Sequence, residues 1–394
     1  MTNREPTNNN AIEVDGICIE IRGPDLIVLP IPNSNWGLIT SVEFRIGITN
    51  NSSNALPLHI YQSVVPQLLT SDDQEIPRIS VLEPGLAPTP VNIPQQPNWV
   101  ETFTRFFANL VNWLKFRNSA ADYERILYLM SLEKYANLTV TALLFWNHDR
   151  LQLKFIPVNN VSRFEALQAQ QYRLRFIGIN FNTNQPNSEG ETIEVADSEQ
   201  PASQFVNLRL VEPLATKKNA VEVDGICFET VVAESIVQVS GTQPDSPIHM
   251  EFGMNITNNT LEPVRFNLFS SLVSQLIRSD GDRVQPALFY RMEIKLKESH
   301  FPLVMPGESI SLLPLPAQLT WKKSNQLYLA IHAIDGGTWS FGNLNLGKYY
   351  IQFAYSNQNK EIEIYDEPDL QNLKFIPQLW TGLVFAPYVE FNLV

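Results

Sequence analysis

The chain has 394 residues, 44% of them hydrophobic and 18% charged, and a net charge of −13. This length suggests two or three domains, each long enough to bury its own core. The charge argues against nucleic acid as a partner, because phosphates demand basic patches, and equally against polybasic attraction to anionic membranes.

The N-terminus, MTNREPTNNN, is polar and lacks the apolar core of a signal peptide, so residues 1–9 are expected to form a disordered tail. No run of 18 apolar residues occurs, and no membrane span is expected. From Asn10 the chain begins a pattern that it later repeats. NAIEVDGICIE (Asn10–Glu20) recurs as NAVEVDGICFE (Asn219–Glu229), 209 residues on. EFRIGITNN (Glu43–Asn51) recurs as EFGMNITNN (Glu251–Asn259), and LLTSDD (Leu68–Asp73) as LIRSDG (Leu276–Gly281), each 208 residues on. A period this long predicts two whole domains, not a solenoid of small units. The two cysteines, Cys18 and Cys227, sit at matching positions and read as small buried hydrophobes. No disulfide framework is expected, which fits a reducing, cytoplasmic setting.

Both halves read as β. Val42, Phe44, Ile46 and Ile48 alternate with polar neighbours, and Met250, Phe252, Met254 and Ile256 repeat the alternation. Period two marks a strand with one face in a core. Leu151/Leu153/Phe155 and Leu327/Leu329/Ile331 form a second matched pair, and Tyr172/Leu174/Phe176 and Tyr349/Ile351/Phe353 a third. The closing strands are Val206/Leu208/Leu210 and Val389/Phe391/Leu393. Turn signals at Asn50-Asn51-Ser52, Asn258-Asn259-Thr260 and Asp280-Gly281 separate the runs. Roughly seven or eight short strands per half indicate a β-sandwich.

Between about residues 80 and 119 the first half carries about thirty residues that the second lacks. The matched offset falls from 208 at Asn50/Asn258 to 177 at Tyr172/Tyr349. The insertion opens with Pro84, Pro88, Pro90, Pro94 and Pro97, which favour extended polyproline. It continues from Asn98 to Phe116 as a predicted helix, capped by Asn98 with Glu101 in capping-box position. At 100° per residue, Trp99, Val100, Phe103, Phe106, Phe107, Leu110, Val111, Trp113 and Leu114 fall within an arc of roughly 160°. Three readings of this face stand. It covers its own domain or the domain junction; it docks into a protein partner or a second copy; or it lies in a membrane surface as a peripheral contact. Trp99, Phe103, Phe106, Phe107, Leu110, Trp113 and Leu114 are the candidate protein-binding residues.

Each half ends in the same order. A Trp precedes a strand (Trp146, Trp321), an aromatic follows in a loop (Phe164, Phe341), a Tyr opens the penultimate strand, and an acidic loop leads to the last one. The Tyr matches the tyrosine corner of immunoglobulin-like sandwiches. The second half adds Pro263-Val264-Arg265-Phe266, Ser279-Asp280-Gly281, Pro306-Gly307-Glu308-Ser309 and the run from Gly347 to Phe353. On these residues the chain resembles tandem bacterial immunoglobulin-like domains and is similar to the fold of the intracellular proteinase-inhibitor-like family. The resemblance covers most of the second half. The first half lacks the P-G-E-S and has Asp73 where the hairpin glycine would be. These are fold motifs, and inhibition follows from them only by analogy.

The expected organisation is therefore all-β: two tandem Ig-like antiparallel sandwiches, residues 10–212 and 219–394, joined by a linker at 213–218. No phosphate loop, dinucleotide fingerprint, H-E-x-x-H or nucleophile elbow is present in the sequence. The five histidines are not at ligand spacing, and two cysteines cannot build a structural zinc site. Asp280-Gly-Asp282 reads as a hairpin turn instead of a calcium loop. The acidic runs, Glu189 to Glu199 and Glu361 to Asp369, read as solvated loops. No catalysis, cofactor or metal is expected. The expected role is a protein-binding or scaffold protein. The alternatives are a loop-presenting protease inhibitor and a carbohydrate-binding module using Trp339 or Trp380.

Overall fold

Every described element but one is a β-strand, the exception being a 3-10 turn at Glu298–His300. The structure is a computed structural model and describes residues 12–14, 16–32, 40–52, 56–58, 64–82, 130–132, 137–147, 150–156, 160–165, 167–178, 201–239, 247–290, 295–312, 315–322, 326–365 and 373–394. The tail at 1–9, the predicted helix at 98–116 with all seven candidate binding residues, and the first acidic run lie outside the described residues. Of the insertion, residues 80–82 are described and end the strand Arg78–Leu82.

The period-two runs become strands with one face in a core. Ser41–Asn50 buries Val42, Phe44, Ile46 and Ile48, and Gln171–Gly178 buries Tyr172, Leu174 and Phe176. In the first half seven antiparallel strands run in the order Ile12–Val14, Ile17–Arg22, Ser41–Asn50, Asn137–Asn147, Arg150–Ile156, Asn160–Phe164, Arg78–Leu82. In the second half the same layer is split. Ala220–Val223, Ile226–Val232, Phe252–Asn258 and Ser309–Ser311 form one sheet. Ile248–Met250, Ala317–Lys322, Gln326–His332, Gly337–Leu344 and Pro286–Tyr290 form the other. Phe164 and Phe341, expected in loops, sit at strand positions and are buried. Thirteen described strands precede residue 212 and nineteen follow 219, more than the seven or eight expected per half, because short pairings such as Val264–Arg265 with Leu303–Val304 carry no alternation of their own.

Several local devices recur at the repeat distance. Asp224 (φ 51°) and Gly225 (φ 76°) form a two-residue hairpin turn of the kind that needs two positive φ values, and Gly16 (φ 77°) holds the matching place. A Cβ on Gly16 would lie 2.7 Å from the Ser52 nitrogen. The side chains of Asn51 and Asn259 then donate to Glu13 (2.9 Å) and Glu222 (2.8 Å). The buried Asn258 amide donates to the carbonyls of Glu262 and Val304 and accepts from Thr260, while Asn50 accepts from Ser52. Both tyrosine corners close: the Tyr172 hydroxyl donates to the Gln168 carbonyl (3.3 Å), and that of Tyr349 to the Asn345 carbonyl (3.0 Å). Asp280-Gly-Asp282 is a hairpin turn, with Gly281 at φ 90°; Asp73 at φ 62° takes the same left-handed place in the first half.

A third layer belongs to both halves. It is a ten-stranded sheet whose main path runs Ile236–Val237, Val389–Leu393, Gly347–Asn357, Gly382–Phe385, Leu26–Pro30, Val206–Val211, Gln171–Gly178, Val64–Thr70, with Leu272–Arg278 on the other side of Gly347–Asn357. Gly382–Phe385 is the seam. It pairs antiparallel with Gly347–Asn357 and parallel with Leu26–Pro30. The cores cross with it: Ala354, Leu383 and Phe385 belong to the first hydrophobic cluster, and Val28 to the second. A small third cluster gathers Phe301, Ile364, Ile376 and Leu379. At 213–218 the chain makes a tight turn in which Leu214 N–H bonds the Ala220 carbonyl and Lys217 N–H bonds the Leu214 carbonyl.

Candidate functional site

Beside the seam lies a groove of about 970 Å3 with walls from both halves. Glu20, Arg22, Asp25, Glu43 and Arg45 line it from the first half; Arg283, Asn359, Lys360, Glu361 and Thr381 line it from the second. Strand alternation sets this wall: Val42 and Phe44 point into the core, so Glu43 and Arg45 between them point out. Gly382 at φ 150° lets the seam strand pass close over Trp380, whose ring would lie 2.8 Å from an added Cβ.

The second half meets the groove with polar groups that bond across the seam. Gln275 Nε2 donates to the Ser41 carbonyl (3.1 Å), and Arg283 Nη1 donates to Ser41 Oγ (2.8 Å). Tyr388 donates to Gln275 Oε1 (3.3 Å) and Thr40 to Gln352 Oε1 (3.2 Å), while Gln352 Nε2 donates to the Ala386 carbonyl. Burial lowers the pKa of the Arg283 guanidinium, against the pull of Tyr388 and Glu43. Burial raises the pKa of the Tyr388 hydroxyl, so it acts as a neutral donor. These bonds satisfy buried Thr40, Gln275 and Gln352, which would each cost free energy if left unpaired. The walls above them carry carboxylates and cations together. Such a groove can hold an extended segment bearing both charge signs through ion pairs and backbone bonds.

Two other concavities adjoin the seam. One of about 320 Å3 is walled by Pro30, Ile31, Pro32, Pro213, Pro387 and Tyr388, with Lys218 and Glu390 beside them. The other, about 550 Å3, lies over Trp380 between Leu26, Asp224, Lys360 and Glu361. Trp380 is half-buried among Phe228, Phe266 and Tyr355, and Trp339 is half-buried against the same core. Neither stands free as a stacking platform.

The second acidic run is not simply a solvated loop. Ile362–Tyr365 and Leu373–Ile376 pair as a hairpin. Ile362, Ile364 and Ile376 face the third cluster, and Tyr365, Leu373 and Phe375 stand exposed on the other face. The signal was the alternation of Ile362 and Ile364, hidden by the surrounding acids. The described histidines lie apart: His249 is exposed, His300 stacks on Phe269 at 5.2 Å, and His332 Nδ1 shares a hydrogen bond with Thr338. Both cysteines are free thiols; Cys227 is buried and Cys18 half-buried. Among the described residues no group of three or more His, Cys, Asp or Glu could hold a metal ion. Nor is any described helix long and apolar enough to cross a membrane.

No family model matches the sequence, and no curated protein matches it. Among solved structures, the chain is similar to an alpha-2-macroglobulin of Salmonella reacted with methylamine, at 7% identity and a TM-score of 0.19 over 96% of this chain. It is likewise similar to the native alpha-2-macroglobulin of E. coli, at 9% identity and a TM-score of 0.21 over 95% of this chain. The chain spans 16% of the length of each.

Proposed function

We propose that this chain is a non-enzymatic binding or scaffold protein, cytoplasmic, that holds a segment of a protein partner in the groove between its halves. In this reading the chain is a tandem of two immunoglobulin-like sandwiches, 10–212 and 219–394, related by duplication and joined at 213–218. The carrying observation is the seam: Gly382–Phe385 belongs to the second half by sequence and to the sheets of both by hydrogen bonding. A groove built on such a seam has walls fixed relative to each other, so a bound segment costs little ordering of the protein. The matched strand order and the two tyrosine corners support the tandem. The test is capture of native partners on the full chain, repeated with Glu43→Lys plus Lys360→Glu. Loss of a specific partner at unchanged melting temperature supports the groove. Unchanged capture, or turnover in a broad hydrolase and transferase screen, overturns the reading.

A second reading, protease inhibition by a presented loop, draws on the hairpin that exposes Tyr365, Leu373 and Phe375. It expects slowed cleavage of a reporter substrate by some member of a protease panel, lost on Phe375→Asp.

A further inference from the structure

The hairpin of Ile362–Tyr365 and Leu373–Ile376 has two unlike faces, and strand register sets them. Ile362 stands opposite Ile376 and Ile364 opposite Lys374, while Glu363 stands opposite Phe375 and Tyr365 opposite Leu373. Successive side chains of a strand point to opposite faces, so Ile362, Ile364, Lys374 and Ile376 share the inner one. Ile364 and Ile376 are buried in the third cluster, and Lys374 Nζ reaches Glu298 Oε2 at 2.5 Å. At the base, Leu379 N–H donates to the Lys360 carbonyl (2.9 Å) and Trp380 N–H to the Arg265 carbonyl (2.8 Å). The hairpin is therefore fixed to the body without any use of its outer face.

That outer face is apolar and open. Tyr365 is 42% exposed, Leu373 52% and Phe375 58%. Apolar residues scattered singly over a surface are ordinary, but these three adjoin across the two strands. Neither strand pairs with any other described strand, so both outer edges offer backbone N–H and C=O groups to an extended segment. The surroundings are acidic. Glu361 and Glu363 are exposed, and the connecting residues Asp366 to Asn372 add Asp366, Glu367 and Asp369 and no cation. Of the nearby cations, Lys374 is bonded to Glu298 and Lys360 lines the groove.

We propose that this face docks an extended, cationic segment of a protein partner, its apolar residues against Tyr365, Leu373 and Phe375 and its Lys or Arg residues against Glu361 and Glu363. Charge selects the occupant. An anionic membrane surface is repelled by these carboxylates, and a second copy brings the same acids to the contact. A basic segment is attracted by them, and apolar burial with backbone pairing at a hairpin edge holds it. The inference shares the hairpin of the inhibitory reading but requires no protease. It is also independent of the groove, and its failure leaves that reading intact.

The test is fluorescence anisotropy of labelled peptides titrated with the full chain. The probe is a peptide of Val, Thr and Lys; one control has Glu in place of every Lys, the other Ser in place of every Val. The expected result is saturable binding of the probe, weakened by added salt, with both controls weaker by about tenfold or more. Leu373→Ser with Phe375→Ser should weaken the probe by about tenfold, and so should Glu361→Lys with Glu363→Lys. The melting temperature should hold, because these side chains are already exposed; if the first pair lowers it, Phe375→Ser alone takes its place. Glu212→Lys with Glu234→Lys, the same charge change at exposed positions outside the hairpin, should leave the affinity as it was. A probe that does not bind, a control that binds as well, or an affinity that survives the hairpin substitutions would each overturn the proposal. So would self-association, or binding to phosphatidylglycerol vesicles, that is lost on Phe375→Ser, since the face would then have another occupant.

Discussion

At the scale of single residues, the fold is held by polar side chains that close turns. The Tyr349 hydroxyl donates to the Asn345 carbonyl and accepts from the Asn345 N–H at 2.8 Å, fixing the loop before the longest strand of the second half. Tyr349→Phe removes both bonds and keeps the ring, so it should cost about 1–2 kcal/mol in urea unfolding, and Tyr172→Phe a similar amount. A loss below the error of the measurement in both would show that water replaces these bonds freely. Alkaline pH tests buried groups of another kind. Burial raises the pKa of the Tyr355 and Tyr388 hydroxyls and of the Cys227 thiol. The folded chain thus holds these protons more tightly than the unfolded chain. Stability should be constant below about pH 8.5, where unfolded thiols begin to ionise, and should fall more steeply above about pH 10, where unfolded tyrosines do. Urea midpoints between pH 7 and pH 11 check this, and Tyr355→Phe should shallow the fall above pH 10.

At the scale of elements, the seam strand carries the most consequence for its length. Phe385 lies at 2% exposure in the first hydrophobic cluster although it belongs to the second half. Phe385→Ala should cost about 3–5 kcal/mol, and hydrogen exchange should rise in first-half strands such as Leu26–Pro30 as well as around the substitution. Protection lost in the second half alone would show that the cores are energetically separate. This strand was the least legible part of the sequence. Gly382-Leu-Val-Phe385 is buried on both faces and shows no alternation, and its parallel partner is more than 350 residues away. Ser41–Asn50 and Gln171–Gly178 were legible because one face meets a core and the other does not. The helix expected at 98–116 rests on periodicity and a capping box and lies outside the described residues. Its aromatic stripe makes a separate expectation. Phe103→Ser with Phe107→Ser should either lower the melting temperature, if the stripe packs on its own chain, or leave it unchanged and abolish an association. No change in stability, oligomer mass, partner capture or liposome binding would make the segment a passive insertion.

At the scale of the whole molecule, the repeats in the sequence predicted two units, and the hydrogen-bonded sheet joins them into one. Matching strands, turns and tyrosine corners were legible because alternation, turn residues and the corner Tyr are each written in a few consecutive residues. The groove was not, because its walls join residues such as Glu20, Glu43 and Arg45 to Arg283, Lys360 and Thr381, whose proximity depends on the seam. The seam also decides how the molecule should unfold. Two sandwiches on a flexible linker would melt separately, each with its own enthalpy. Here Val28 completes the second core while Ala354, Leu383 and Phe385 complete the first, and Gln275 and Gln352 spend their buried amides across or beside the joint. Separation would expose those apolar side chains and break the bonds to Ser41, so neither half gains by opening first. Calorimetry of the full chain should therefore show one transition, with van't Hoff and calorimetric enthalpies in agreement. Residues 213–394 expressed alone should be less stable than the same residues in the full chain and should aggregate through uncovered Val273, Leu383 and Phe385. Changing Leu383 and Phe385 to Ser in that fragment should restore solubility. Two resolved transitions in the full chain, or a fragment that folds as stably alone, would mean that the shared sheet joins the halves without coupling them.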